Sequence, residues 1–318
     1  MPLLEPPLDL PDPSWKREDH AILAEQARRF FSHEVAPQYD RFEREGVFDR
    51  SIWQKAGGAG LLAASAPEAF GGPGGDFGYD AVIIETAGHA GCDGFGGALH
   101  SAIVMPYILH YGSQEQKRRW ITKMVSGEFI GAIAMTEPGA GSDLQGVKTT
   151  ARRDGNHYVI NGSKTFITNG QMANLIIVVC KTDAEAGAKG TSLFVVETDQ
   201  VDGFRRGRNL DTMGLASNDT SELFFDDVRV PADALLGQQE GDGFVQLMQQ
   251  LPQERLIIAL QAMARMERAL AETIAYVKQR KAFGKAIIDF QNTQFKLAEC
   301  KTEATVARTF IDHCMERH

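Results

Sequence analysis

Glu254 and Arg255 stand side by side in LPQERLIIAL, residues 251–260, two positions beyond a proline and between apolar runs. A carboxylate among apolar side chains can act as a proton acceptor. Loss of water disfavours its charged form and lifts its pKa toward the operating pH. On a helix, positions 247, 251, 257 and 258 share a side with 254. They are Leu247, Leu251, Ile257 and Ile258, all apolar. The ordinary alternative is an exposed Glu paired with a cation one turn away. No Lys or Arg occupies 250, 251, 257 or 258, which weakens that alternative. Pro252 cannot donate to the carbonyl of Met248, so a kink or helix restart is expected there, one that could aim the base into a cleft.

Three further stretches carry groups suited to a ligand. AMTEPGAGSD, residues 134–143, runs from a strand into Pro138, Gly139 and Gly141. Glycines there let a ligand approach the backbone and leave amides free to donate. A strand ending in a tight turn explains the composition at least as well. INGSKTFITNG, residues 160–170, sets Phe166-Ile167-Thr168 between two Asn-Gly turns. An aromatic beside a hydroxyl could cover a flat ring and donate one hydrogen bond to it; a hairpin with a half-buried Phe fits equally. In YVKQRKAFGKAIIDFQ, residues 276–291, Arg280 and Phe283 lie three apart on a helix end that Gly284 is expected to terminate. Arg280 could pair with a diphosphate, or only complement the helix dipole.

Other chemistries are disfavoured. There is no GxxxxGK[ST] and no GxGxxG, so a P-loop or Rossmann nucleotide site is not expected. Cys92, Cys180, Cys300 and Cys314 are far apart and form no CxxC pair, and the eight histidines show no HExxH spacing. Neither a metal site nor a disulfide framework is expected, and a reducing cytoplasm is the simplest compartment. A net charge of −9 disfavours a nucleic-acid partner. No apolar run approaches the roughly 18 residues that cross a bilayer. The N-terminal MPLLEPPLDLPDPSW is acidic and proline-rich, unlike a signal or transit peptide. It reads as an extended, solvent-exposed arm.

The elements that must position these residues follow from periodicity. The chain has 318 residues, 43% hydrophobic and 24% charged, the balance of a globular protein of about two or three domains. Helical spacing covers 16–37, 51–63, 78–92, 97–111 and 115–125. Between 129 and 230 the pattern changes to short β-branched runs such as NLIIVVC and TSLFVVE, divided by Asp154-Gly155, Asn161-Gly162 and Asn169-Gly170. Helical spacing returns at about 242–250, 252–282 and 289–317. The expected fold is therefore α+β and multi-domain: an N-terminal α-helical bundle (1–128), a middle antiparallel β-domain (129–235) and a C-terminal α-helical domain (236–318).

Taken together, AMTEPGAGSD, TFITNG, MGLASNDTSELFFDDVRVP (213–231) and QRKAFGK with Gln291 resemble the acyl-CoA dehydrogenase family, over nearly the whole chain and in the correct order. LPQERL and the wider 250–283 segment are similar to its long-chain branch. The resemblance implies FAD as cofactor and α,β-dehydrogenation of a medium- or long-chain acyl-CoA to the trans-2-enoyl-CoA. An electron-transfer flavoprotein is the implied acceptor. It implies flavin contacts from Ile133, Ala134, Met135, Thr136, Glu137, Pro138, Gly139, Ala140, Gly141 and Ser142, and from Phe166, Ile167 and Thr168. Thr136 would face the pyrimidine edge and Thr168 would bond near N5. Arg280, Phe283 and Gln291 would serve the FAD of a neighbouring subunit, in a homodimer or homotetramer. Glu254 would be the base, with Ser142, Phe244, Val245, Pro252, Gln253 and Arg255 toward the substrate.

Ala216, Asn218 and Val245 depart from the family pattern at places where a basic residue, a serine and an aromatic are common. They bear on substrate fit more than on chemistry. The family's last domain usually continues for several more helices, so the C-terminal domain is expected to be incomplete and FAD retention weakened. Rival readings are a same-fold oxidase, a dehydrogenase of carrier-protein thioesters, and a truncated, inactive chain that assembles with longer subunits.

Overall fold

The computed structural model describes residues 6–237 and 239–318. Among them the α-helices are α1 (Glu18–Phe30), α2 (Tyr39–Glu45), α3 (Arg50–Gly58), α4 (Phe77–Ala90), α5 (Gly97–Leu99), α6 (Met105–Tyr111), α7 (Gln114–Val125), α8 (Gly243–Gln279) and α9 (Gln291–Arg317). The strands are β1 (Gly131–Ala134), β2 (Thr150–Asp154), β3 (His157–Thr168), β4 (Leu175–Lys181), β5 (Thr191–Glu197), β6 (Phe204–Asn209), β7 (Thr220–Pro231), β8 (Lys281–Ala282) and β9 (Lys285–Ala286). Two compact units result. The first gathers Met1–Pro37, Ala81–Asp93 and Arg255–His318; the second gathers Gln38–Asp80 and Gly94–Glu254.

The first unit is helical. Its buried centre is charged: Arg308 of α9 donates to Glu85 of α4 and, at 2.8 Å, to Glu267 of α8, while Lys16 reaches Glu85 at 2.8 Å. A guanidinium fork holding two carboxylates satisfies charges that would be costly alone. Gly88 of α4 lies so close to Ala264 of α8 that an added Cβ would sit 2.6 Å from the alanine methyl. The described part of the N-terminal arm is not wholly solvated, because Trp15 donates to Asp312 at 3.1 Å. The expected 16–37 helix is α1 followed by a wider π turn, Phe31–Val35.

The second unit is built on a sheet ordered β1-β4-β2-β3-β7-β6, with β5 on β4. The antiparallel expectation holds for β2–β3, β3–β7, β4–β5 and β6–β7. β1 instead pairs with β4 in parallel, from Gly131↔Leu175 to Ala134↔Val178. Every residue of β4 is buried, as the unbroken apolar run from Leu175 to Cys180 requires, and its last residue, Lys181, donates to Gly187 O and Thr191 Oγ1. Ile160, Ile176, Val178, Phe194, Val196, Leu223 and Phe225 form the core beneath.

Several local expectations change. Asn161-Gly162 is not a turn. β3 runs straight through it, with a register shift against β7 between Ile160 and Gly162. Gly162 has φ +154°, and a Cβ there would meet Thr149 Oγ1 at 2.4 Å. Pro252 does not divide α8, which is helical through it to Gln279; one lost backbone bond is tolerated within a 37-residue helix held by packing. The 97–111 helix is α5 and α6 joined by a π turn, His100–Val104. Gly284 does not end a helix. It sits with Phe283 in the two-residue turn between β8 and β9, both at positive φ (+51° and +79°).

Candidate active site

Glu254 lies on the N-terminal part of α8, within the second unit, and is half-buried. Leu247 and Ile257 beside it are buried, but Ile258, expected to share their surroundings, is 59% exposed. The side chain of Glu254 is held: Tyr107 Oη donates to Glu254 Oε1 at 2.7 Å. Tyr107 is wholly buried on α6. Burial first, and then the Glu254 charge, push its phenol well above the usual range, so it remains a donor.

Sequence explains why the two helices meet here. Pro106 has no N–H to give the carbonyl four residues back, that of Ala102. The Gln253 amide donates to that oxygen at 2.8 Å. One turn earlier, Gln250 Nε2 contacts His110 Nδ1 at 2.8 Å and Tyr111 Oη at 3.0 Å. Tyr111 also donates to Gln249 at 2.9 Å. Gln246 reaches Leu236 O at 3.1 Å. Residues 253 and 254 are thus pinned to Ala102 and Tyr107 by consecutive side chains. Tyr107, Gln246, Gln249 and Gln250 were not singled out in the sequence, and Gln253 was expected toward the substrate rather than on Ala102 O. Tyr107 sits inside the apolar helical run 97–111, where only the Pro-Tyr pair at 106–107 marks the spot.

The β-edge site forms in the same unit. β1 ends at Ala134, and Thr165 N donates to Thr136 O at 3.0 Å, tying the two predicted segments together. Glu137 and Ala140 exchange both backbone bonds, at 2.9 and 3.1 Å, closing a tight turn over Pro138-Gly139. Ile133, Ala134 and Ala140 are buried, and Met135 and Thr136 half-buried; Pro138, Gly139, Gly141 and Ser142 are exposed. A Cβ added at Gly139 or Gly141 would meet nothing of the chain. The glycines therefore leave room on the outer side. The carboxylate of Glu137 faces inward, to Lys164 Nζ at 2.8 Å and to the amides of Lys148 (2.7 Å) and Thr149 (2.9 Å). Its side chain is structural.

A second register shift, between Lys164 and Ile167, bulges β3. It places Phe166 at φ +58° and leaves its side chain 66% exposed, while Ile167 is buried and Thr168 half-buried. Bulges re-aim side chains beside active sites. The turn after Thr168 is held by Asn169, whose amide donates to Gly96 O (3.2 Å) and Gly131 O (3.0 Å). Asp219 Oδ2 accepts from Gln171 N and Met172 N at 2.8 and 2.9 Å. An outward aromatic, two half-buried threonines and a Cβ-free exposed turn fit a flat ring with a polar edge, as FAD presents.

Phe244 is half-buried, and Val245, Pro252 and Arg255 are exposed. The Gln253 amide is already engaged with Ala102. Arg280, Phe283 and Gln291 lie in the first unit. All three are exposed, Phe283 to 96% at the hairpin tip. The T-shaped Phe283–Phe290 contact has a centroid distance of 6.3 Å, and Ile287 N closes on Arg280 O at 2.8 Å, fixing the hairpin. Among the described residues no cluster of His, Cys, Asp and Glu could hold a metal, and no helix is long and apolar enough to cross a membrane.

Comparison with known proteins agrees with this geometry. Residues 17–128, 132–228 and 241–318 match the N-terminal, middle and C-terminal domain families of acyl-CoA dehydrogenase. Long-chain specific acyl-CoA dehydrogenase, mitochondrial, of Sus scrofa is 51% identical over 302 residues, 94% of this chain and 70% of the relative. The crystal structure of acyl-CoA dehydrogenase from Geobacillus kaustophilus superposes with a TM-score of 0.94 at 48% identity, over 96% of this chain and 81% of that one. A glutaryl-CoA dehydrogenase from Mycobacterium smegmatis in complex with FADH2 superposes with a TM-score of 0.85 at 29% identity, covering 95% and 76%. The chain belongs to the acyl-CoA dehydrogenase family of FAD-dependent oxidoreductases.

Proposed function

We propose that this chain dehydrogenates a medium- or long-chain acyl-CoA thioester to the trans-2-enoyl-CoA, with Glu254 as the base and an electron-transfer flavoprotein as acceptor. The observation that carries it is the half-buried Glu254 carboxylate, anchored by Tyr107 on a helix face whose inner side is apolar. The thioester carbonyl acidifies the α-carbon, and Glu254 would take one proton from it as one hydride leaves the β-carbon and the trans double bond forms. Bound FAD supplies the acceptor for that hydride. Phe166, Thr168, Thr136 and the 133–142 turn would hold and orient the flavin ring, and Ser142 would reach toward the CoA arm. Phe244, Val245, Pro252 and Arg255 would border the acyl chain. The long-chain preference draws support from the name of the 51% identical Sus scrofa relative.

A domain division at 1–128, 129–235 and 236–318 is proposed with this function. Self-association, through which Arg280, Phe283 and Gln291 would serve a neighbour's FAD, is supported by the exposed hairpin tip. A reducing compartment, with the cytoplasm the simplest, fits four free thiols.

The test is anaerobic flavin reduction by acyl-CoAs of about four to sixteen carbons, a span chosen for the assay, in wild-type and Glu254→Gln protein. Reduction by wild-type and its loss by at least about 10³-fold in the variant, with FAD still bound, is the expected result. Undiminished reduction by Glu254→Gln would place the base elsewhere.

A further inference from the structure

The base proposed above is only as good as the geometry that holds it, and a wholly buried side chain on α6 takes part in holding it. Tyr107 contributes no surface, yet its hydroxyl meets Glu254 Oε1 at 2.7 Å. The contact is over-determined. Gln253, the preceding residue, is fixed to Ala102 O, the carbonyl that Pro106 cannot satisfy. Gln250 and Gln249 repeat the attachment at His110 and Tyr111. A hydrogen bond that merely filled a core vacancy would not need to end on the one ionisable side chain between Gly243 and Glu254.

We propose that Tyr107 is a positioning residue for the Glu254 base: its buried hydroxyl fixes the rotation of the carboxylate and keeps it ready to accept the substrate proton. This rests on the reading of Glu254 as base. Burial and the Tyr107 hydrogen bond act on that carboxylate in opposite directions. Leu247 and Ile257 exclude water and favour the neutral acid; the phenol donates to, and so favours, the anion. Ionisable neighbours include Tyr111, whose ring centroid is 6.2 Å from that of Tyr107, and His110, bound to Gln250, with Arg255 next in the chain. The phenol cannot itself compete for the proton, because burial keeps it protonated throughout the working range.

The experiment uses the whole chain with FAD supplied, and compares wild-type with Tyr107→Phe and with 3-fluorotyrosine placed at position 107. Phenylalanine deletes the donor without changing the ring; fluorine makes the phenol a stronger donor. The first readout is the titration of the Glu254 carboxyl by ¹³C NMR of glutamate-labelled protein, its signal assigned by its disappearance in Glu254→Gln. The second is the pH profile of acyl-CoA-driven flavin reduction.

Tyr107→Phe is expected to move the carboxyl midpoint and the acid limb upward by about one unit. That slows reduction about tenfold on the acid side and no more than about threefold on the alkaline plateau. Fluorotyrosine is expected to move both downward. A purely structural role for Tyr107 would lower melting temperature or flavin content without shifting a midpoint. Identical midpoints in wild-type and fluorotyrosine protein overturn the proposal, even if Tyr107→Phe fails to fold. Should Glu254→Gln still reduce flavin, the base assignment fails by itself, and the carboxyl titration separately decides whether Tyr107 holds Glu254.

Discussion

Lys164 and Glu137 form an ion pair at 2.8 Å with both side chains buried, one on β3 and the other in the turn after β1. Lys164 also donates to Met135 O at 3.0 Å. Burial pulls the lysine pKa down. For Glu137 burial acts upward, but hydrogen bonds from Lys164, Thr149 and the Lys148 amide outweigh it and hold the carboxyl below its usual value. The pair therefore joins the two segments proposed to hold the flavin, from inside.

Removing one partner should be costly, because the other charge remains dehydrated. Lys164→Met is expected to lower stability by about 3–5 kcal/mol. Adding Glu137→Gln should recover part of that loss, since no charge is then stranded. Urea unfolding of the two single variants and the double variant measures the coupling. Strict additivity would show that the pair is not a unit.

Phe166 carries strain of the opposite kind. A bulky residue at φ +58° with its ring mostly in solvent contributes little to the core. Phe166→Gly should leave unfolding stability unchanged or raise it by up to about 1 kcal/mol. Flavin affinity should nevertheless fall by at least about tenfold, if the ring covers the isoalloxazine. Flavin fluorescence titration and chemical unfolding on the same preparation separate the two effects. A loss of stability equal to that of an ordinary core truncation would contradict the strained-presentation account.

How much of this was legible beforehand depends on how local the cause is. The helix–sheet–helix order followed from periods of 3.6 and 2, which neighbouring residues set. Asn169-Gly170 is a turn, as its type suggests, with Asn169 at φ +63°. Asn161-Gly162 has the same composition and is a bulge, because its glycine answers to Thr149 across space rather than to a chain reversal. Pro252 looked like a helix break, yet α8 continues, since packing of a long helix outweighs one missing bond. The half-burial of Glu254 was legible from Leu247 and Ile257 within one helix, although Ile258 turned out exposed. Its contact with Tyr107 was not, because the two residues lie 147 apart in the chain. Glu137 was expected among the flavin contacts of the 133–142 segment; its side chain pairs instead with Lys164, 27 residues away, and turns inward.

His100 provides a test of the scaffold behind β1. Its Nδ1 accepts from Gly131 N at 2.9 Å and its Nε2 contacts Met124 O at 3.1 Å, an arrangement that requires the neutral ring with its proton on Nε2. Burial lowers its pKa to about 4, against about 6.5 in an unfolded chain. The folded state thus resists a proton that the unfolded state accepts. The stabilisation is fully present above about pH 6.5 and is lost as pH falls toward 4, by roughly 3 kcal/mol in all. Asp80 and Asp219, which burial raises to about 6, titrate in the opposite sense; they are common to wild-type and variant and cancel in a difference. His100→Gln should be less stable at pH 8 yet show a flatter decline on acidification. Denaturant midpoints from pH 8 to 4.5 provide the check. Parallel curves for the two proteins would mean that His100 is not held neutral between Met124 and Gly131.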